Sequence, residues 1–384
     1  MPPRLKFAVN ARALRSPITG IGRYLRGLMR EVERADRFAP DYFCSLRWGR
    51  SLDLAPLQGA SPGAGGRMPQ ALRSLRPLVR AVERINFSAG LRWRDFAFYF
   101  EPAYIPFATP LPTVITIHDL SHLRHPETHP VDRVRELDRA LPAAIKRADR
   151  ILTVSDFTRR EVIEVFGVDA DRIVTTPLGV EPRFFPRTRN ETARLLTGLR
   201  LTHRQYFLAV GTLEPRKNIL TTVAAHARLP VRIRAAHPLV VAGMTGWRTH
   251  AITRGLELAQ SRGDVRLLGH VSDEQLPLLY AGATMLSYPS IYEGFGLPPL
   301  EAMASGVPVA ASDRASMPEV VGDAGILLEP DDVEGLTSTM LRIVDDAAFA
   351  HDLALRGLAR AKPFTWERCA ALTMQSWESV LAAG

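Results

Sequence analysis

Tyr292-Glu293-Gly294-Phe295-Gly296-Leu297-Pro298-Pro299-Leu300-Glu301-Ala302-Met303-Ala304-Ser305-Gly306-Val307-Pro308-Val309 is the stretch from which the rest of this chain is read. Just upstream, Ala283-Thr284-Met285-Leu286-Ser287-Tyr288 has the character of a short buried strand. The two prolines suit a helix start, where a missing N–H costs nothing. Strand, glycine loop and helix N-terminus together leave free backbone N–H groups and a partial positive charge at the sheet edge, a setting that suits an anion. Glu293 falls in the loop and Glu301 about one turn into the helix, so both can reach a ligand held there. Carboxylates do not neutralise a phosphate, but they accept hydrogen bonds from hydroxyls. The combination fits a ligand that carries both a sugar and a phosphate. A capping-box role for Glu301 would need Ser, Thr, Asp or Asn three residues earlier, and position 298 is Pro.

At 384 residues the chain exceeds one ordinary core, so two domains are expected. Hydrophobic residues make up 46% of it without repeats or long polar tracts, and no apolar run approaches the ~20 residues that cross a bilayer. Met-Pro-Pro-Arg-Leu-Lys-Phe-Ala-Val-Asn leads straight into a strand, so no signal peptide is expected. Cys44 and Cys369 are the only cysteines; this excludes a disulfide framework and a thiolate metal cage, and fits a reducing cytoplasm. No His/Asp/Glu cluster has metal-ligand spacing, so no metal or other cofactor is expected.

The net charge of +9 is uneven: residues 1–186 carry 29 Lys+Arg against 20 Asp+Glu, whereas residues 187–384 carry 20 of each. The excess is densest over 67–94, where Arg67, Arg73, Arg76, Arg80, Arg84, Arg92 and Arg94 face the single acid Glu83. Such asymmetry points to an acidic partner, nucleic acid or an anionic membrane surface, or else to a solvated basic helix face.

Strand and helix patterns alternate along the chain. Strands are expected at 5–9, 97–100, 113–117 and 150–154, with helices over the stripe Tyr24, Leu25, Leu28, Met29 and Val32 and over 134–148. The Gly/Pro/Ser-rich residues 57–70 read as a surface loop. Further on, 206–210, 239–242, 265–268, 284–288, 307–311 and 325–328 read as buried parallel strands of a doubly wound α/β sheet, whose ligand belongs at the strands' carboxyl ends. The link between the halves is expected near 182–189.

Other segments carry weaker signals. In Gly211-Thr212-Leu213-Glu214-Pro215-Arg216-Lys217-Asn218, two adjacent cations at a helix start oppose the helix dipole, which calls for a compensating anion. Gly20-Ile21-Gly22-Arg23 is placed between the first strand and first helix; it lets backbone approach a phosphate, or it is a turn, and it completes no P-loop. His118-Asp119 follows the strand at 113–117. Ser155 or Asp156 can be a helix N-cap.

With these residues quoted, the chain resembles the retaining glycosyltransferases of family 4, whose signature is two glutamates seven residues apart; the resemblance spans nearly the whole chain and is loosest over 36–94. It implies the GT-B fold, two Rossmann-like parallel-sheet domains facing a central cleft: an acceptor-side domain 1–185, a nucleotide-sugar domain 186–364, and a C-terminal helix 365–384 crossing back to the first. By the same resemblance, Glu293 contacts hydroxyls of the donor sugar and Glu301 the ribose. Arg216 and Lys217 take the pyrophosphate, and His118, with Asp119 beside it, lies near the reacting carbon. Gly20 and Gly22 cap the donor phosphate, backbone at His270 and Val271 meets the base, and Phe295, Gly296 and Leu297 complete the donor loop. One departure is Thr212, where many members have Arg; Arg216 is read as its substitute.

The implied activity is metal-independent, retaining transfer of a sugar from a nucleotide diphosphate to a glycan or lipid-linked acceptor. The form of the His118 and Lys217 segments is similar to bacterial mannosyl- and rhamnosyltransferases of surface-polysaccharide (lipopolysaccharide) assembly, which favours GDP-mannose or GDP-rhamnose. The rivals are another GT-B enzyme such as a sugar-nucleotide epimerase, and a non-catalytic nucleotide-sugar or nucleic-acid-binding module. Glu293, Glu301, Arg216, Lys217 and His118 together speak against both, so no nucleic acid is expected. Over 73–98, Leu72, Leu75, Leu78, Val79, Val82, Ile85, Phe87, Leu91, Trp93 and Phe96 lie in or beside a run of arginines. This pattern suits peripheral seating on the inner face of the cell membrane; the competing reading is core packing with solvated arginines.

Overall fold

Thr113–Ile117 is buried at all five positions, as a strand must be when both faces of its sheet are covered. The same holds for Phe98–Glu101, Leu239–Ala242, Met285–Tyr288 and Val309–Ser312. These strands build two sheets in the computed structural model, which describes residues 4–14, 20–52, 76–244, 246, 249–263 and 265–383. The first sheet has the order β3-β2-β1-β4-β5-β6-β7. Its strands are β1 Leu5–Asn10, β2 Phe38–Cys44, β3 Arg47–Gly49, β4 Phe98–Glu101, β5 Thr113–Ile117, β6 Arg150–Thr153 and β7 Ile173–Thr175. All pairs are parallel except β2 with β3. The second sheet is wholly parallel, in the order β10-β9-β8-β11-β12-β13. It comprises β8 Phe207–Val210, β9 Leu239–Ala242, β10 Val265–Gly269, β11 Met285–Tyr288, β12 Val309–Ser312 and β13 Ile326–Leu328.

Each sheet reverses its strand order once, between β1 and β4 and between β8 and β11. A crevice opens outside the carboxyl ends at such a reversal, and ligands of doubly wound folds bind there. The chain therefore has two such places. One is flanked by the segments after Asn10 and Glu101, the other by those after Val210 and Tyr288.

The helices that shape these crevices are α1 Gly20–Arg34, α2 Arg76–Arg92, α3 Val131–Arg147, α4 Asp156–Phe166, α5 Leu297–Ala304 and α6 Trp366–Ala383. Helix α6 lies on the first sheet. Its fully buried Trp377 has ring centroids of Phe7, Phe38, Phe98 and Phe100 within 4.9–5.3 Å, so the end of the chain completes the core at its beginning.

β2, β3 and β7 have no counterpart among the expected strands. Pro40 and Asp41 interrupt the apolar pattern of β2, and the other two are only three residues long. The surface loop read over 57–70, together with Arg67, Leu72, Arg73 and Leu75, lies outside the described residues. The rest of the basic-and-apolar stretch divides between its two readings. Phe87 and Phe96 are core, Leu91 packs partly buried against them, and Leu78, Val79, Val82, Ile85 and Trp93 are exposed. Among the described residues, no helix is long and apolar enough to cross a membrane.

Candidate active site

At the second sheet's reversal, β8 runs into a 3-10 turn, Pro215–Lys217, and β11 into the loop that carries Glu293. The loop ends at Gly296, whose φ of 107° few other residues adopt, and this left-handed residue starts α5. Arg216 and Lys217 thus precede the next helix on a separate turn instead of opening it. Both turn back onto Glu293. Lys217 Nζ donates to Oε1 at 2.5 Å and Arg216 Nη1 to Oε2 at 3.0 Å. The Ser290 and Tyr288 hydroxyls donate to Oε1 at 2.6 and 2.8 Å. Burial pushes the Glu293 carboxyl up, but Arg216, Lys217 and Ser290 outweigh it and hold it at about 2. Expected to be a cleft-facing side chain, Glu293 is only 6% exposed. The reason is charge: two cations beside one strand end need an anion, and the protein supplies its own. Arg216 Nε is buried without a hydrogen-bond partner, a group that calls for an acceptor from outside the chain.

Glu301, at the fifth position of α5, is also buried, and its carboxyl is pushed up by burial despite a nearby cation. That cation is Arg23 of α1, whose Nη1 donates to Oε1 at 3.0 Å while Nη2 donates to Asp273 at 3.2 Å. Gly20 and Gly22 belong to the first turn of α1 itself rather than to a loop ahead of it. His270 is exposed and Val271 half-buried just beyond the edge strand β10, and Asp273 ties that segment to α1.

His118 and Asp119 follow β5 in the first domain. His118 Nε2 lies 2.7 Å from the Pro102 carbonyl, which can only accept, so Nε2 carries the proton and Nδ1 is an acceptor. Burial lowers the His118 pKa, which keeps the ring neutral. Asp119 accepts from the Tyr104 hydroxyl (3.1 Å) and from Ser121 N and Oγ (3.1 and 2.7 Å). Burial would raise its carboxyl, but Arg216 and Ser121 bring it to about 2. These bonds give Asp119 a full role in shaping the loop after β5.

The two strand-end regions touch. A Cβ on Gly294 would lie 1.8 Å from the His118 carbonyl oxygen, so a larger residue there would drive the domains apart. Ser155, the N-cap of α4, donates to the Gly294 carbonyl at 2.6 Å. Leu120 N donates to the Tyr292 hydroxyl at 3.0 Å, and the Tyr292 hydroxyl donates in turn to Glu161. Glu319 reaches across to the first turn of α4, accepting from Asp156 N and Phe157 N at 2.9 and 3.0 Å. Phe295 is buried with its ring on Phe364, and Leu297 packs half-buried on the core.

The geometry therefore gathers Glu293, Arg216 and Lys217 at one strand end, brings the His118 loop against Gly294, ties Glu301 to α1 through Arg23, and leaves His270 exposed beyond β10. Arg23, Tyr288, Ser290 and Tyr292 escaped the sequence reading. The last three are within five residues of Glu293, and Arg23 directly follows the Gly-x-Gly. No cluster of three His, Cys, Asp or Glu placed to hold a metal occurs among the described residues.

Two family models match the chain: Glycosyltransferase Family 4 over residues 18–184 and Glycosyl transferases group 1 over residues 199–359. The O-antigen chain mannosyltransferase B of Escherichia coli is 37% identical, over 97% of this chain and 100% of its own length. The serotype-specific mannosyltransferase WbdA of Escherichia coli is 31% identical over 71% of this chain and 34% of its own. Among solved structures, a sucrose-phosphate synthase from Thermosynechococcus elongatus superposes over 100% of both chains with a TM-score of 0.78 at 20% identity, a likeness of fold.

Proposed function

The chain belongs to the family 4 glycosyltransferases and has their GT-B fold, and from that premise we propose that it transfers mannose from GDP-mannose, with GDP-rhamnose as the second donor. The acceptor is a glycan, free or lipid-linked, in surface-polysaccharide synthesis. Transfer retains the anomeric configuration and needs no metal. The relatives named mannosyltransferases support the sugar. The observation that carries the reading is the cluster Glu293–Lys217–Arg216 at the second sheet's strand reversal, a few ångströms from the His118 loop.

In this reading the domains are 1–185 and 186–364, with 365–384 returning to the first. The donor diphosphate takes the place of part of Glu293's hold on Arg216 and Lys217, meeting the free Arg216 Nε and the N-terminus of α5, which offset its charge as it leaves. Glu293 then accepts from sugar hydroxyls, His118 Nδ1 from another, and Glu301 from the ribose. The backbone of Gly20 and Gly22 approaches the phosphate, and that of His270 and Val271 the base. The acceptor oxygen bonds to the anomeric carbon as the bond to the diphosphate breaks, and the acceptor's proton passes to the departing phosphate on the same face. Two aligned reactants supply the rest of the acceleration. The setting is the cytoplasm, with peripheral seating on the inner face of the membrane.

A panel of sugar nucleotides tests this. GDP-mannose at 100 times its dissociation constant stabilises by ~2.7 kcal/mol, visible as a raised melting temperature. Transfer persists in EDTA, and NMR of the product shows the donor's anomeric configuration. An inverted product, or loss on chelation with rescue by Mg²⁺, overturns the mechanism.

A further inference from the structure

The residue before Glu293 serves two places at once. The Tyr292 carbonyl accepts from Arg216 Nη1 at 2.7 Å, beside the cluster proposed to hold the donor. Its side chain reaches into the first domain, and the residue as a whole is only 4% exposed. The rings of His125 and Phe157 stand 5.4 and 5.6 Å from the Tyr292 ring, both edge-on. At the end of this socket the hydroxyl meets Leu120 N–H at 3.0 Å and the Glu161 carboxylate.

The direction of each bond follows from the groups. A backbone N–H only donates and the hydroxyl has one proton, so the oxygen accepts from Leu120 and the proton goes to Glu161. Burial pushes the Tyr292 hydroxyl up, which keeps that proton in place. Glu161, buried on α4, is held for the purpose by Arg124, whose Nε donates to its other oxygen at 2.7 Å while Nη2 donates to Glu164 at 3.0 Å. Arg124 closes the helical turn Ser121–Arg124 that follows Leu120, so the chain of bonds begins and ends on the loop after β5. Tyr292 is its one member from the second domain. Gly294 only makes room for the two loops to approach, whereas Tyr292 supplies a directional bond between them.

We propose that Tyr292 is a positioning residue for transfer: its hydroxyl fixes the His118 loop against the Glu293 loop, so that His118 and Glu293 hold one donor sugar in a single arrangement. The role in transfer rests on the transferase reading above; the bond that keys the two loops does not. A reactant displaced by about 1 Å loses about 10²-fold in rate, so a hydroxyl that touches no substrate can govern turnover. Arg216 and Lys217 keep their bonds to Glu293 without it, so donor affinity does not depend on this hydroxyl.

Tyr292→Phe on the full chain tests this, since it keeps the ring in its socket and deletes only the hydroxyl. Transfer from GDP-mannose is expected to lose about 10²-fold in kcat with the donor KM unchanged. In the His118→Ala background the same change costs nothing further, because the hydroxyl acts through that loop. Glu161→Gln gives the same pattern, since its amide N–H then faces either the hydroxyl proton or Arg124; it serves alone if Tyr292→Phe does not fold. Unchanged kcat, a KM that rises in step with the lost rate, or losses that multiply with His118→Ala overturn the proposal. If wild type transfers nothing from GDP-mannose, or His118→Ala loses nothing, the donor reading is at fault and amide exchange of the ligand-free protein decides the key. Leu120 N–H then exchanges about tenfold faster in Tyr292→Phe than in wild type, and equal rates overturn it.

Discussion

Arg23 Nη1 and Glu301 Oε1 lie 3.0 Å apart although 278 residues separate them in sequence, and they are on different domains. Glu301 is 4% exposed, so the pair exchanges hydration for a contact that exists only while the domains face each other. Arg23 also holds Asp273, so one guanidinium ties α1 to two segments of the nucleotide domain.

Arg23→Ala should therefore loosen domain closure and leave a buried carboxylate unpaired. A cost of about 2 kcal/mol is expected, below the about 3–5 of a fully buried pair, because Arg23 keeps 23% of its side chain exposed. The companion Glu301→Gln change removes the stranded charge, so the double variant should melt higher than Arg23→Ala alone. Equal melting temperatures for wild type and Arg23→Ala would show that the pair contributes nothing in solution.

Lys217→Ala and Glu293→Ala should separate catalysis from folding. Lys217→Ala removes one cation but leaves Glu293 held by Arg216, Ser290 and Tyr288. Transfer should fall by about 10²–10³-fold, the scale of one lost charge-stabilising donor, with little change in melting. Glu293→Ala leaves Lys217 without its carboxylate while Arg216 keeps Glu214 at 2.8 Å, and should cost about 3 kcal/mol of stability as well as activity. Near-normal turnover in Lys217→Ala would remove it from the site.

Stability should also carry the mark of Glu101. Burial raises its carboxyl from the ordinary 4.5 to about 7 against the hydrogen bonds it accepts. Between those values the folded chain holds a proton that the unfolded chain has lost. Its contribution is thus full below pH about 4.5 and fades as pH rises through about 7, by up to about 3 kcal/mol. Glu293 and Asp119, held at about 2, act oppositely and matter only in acid, where stability is lost as pH falls below the ordinary carboxylate range. Denaturant titrations from pH 5 to 8 should show wild type losing stability relative to Glu101→Gln. Parallel curves would mean that Glu101 is ionised throughout.

What could be read in advance follows from how local each feature is. The strand Leu239–Ala242 and the loop around Glu293 announce themselves within a few residues, through apolar runs and glycine–proline punctuation. β2 did not, because Pro40 and Asp41 break its pattern while its neighbours bury Tyr42 and Phe43 regardless. The Arg23–Glu301 pair is a product of domain geometry and has no local trace. Lys217 and Glu293 were both singled out, but for a ligand; that they neutralise one another, 76 residues apart, depends on the return of β11 to the side of β8.

Helix α2 gives a prediction about location. Glu83, Phe87 and Gly90 face inward, while Leu78, Val82 and Ile85, one helical stripe on the opposite side, stand in solvent at 61%, 42% and 69% exposure, and Trp93 follows at 86%. Arg92, two helical turns beyond Ile85, lies on the same side. An apolar stripe flanked by cations lies in a bilayer interface with its side chains below anionic headgroups. Sedimentation with vesicles of phosphatidylglycerol and phosphatidylcholine should pull the protein down at low salt, and binding should fade as salt shortens the screening length from about 30 Å at 0.01 M to about 10 Å at 0.1 M. Leu78→Ser/Val82→Ser/Ile85→Ser should abolish pelleting with little loss of stability, since those side chains contribute nothing to the core. A wild-type protein that stays in the supernatant with anionic vesicles at low salt would make the stripe an ordinary surface.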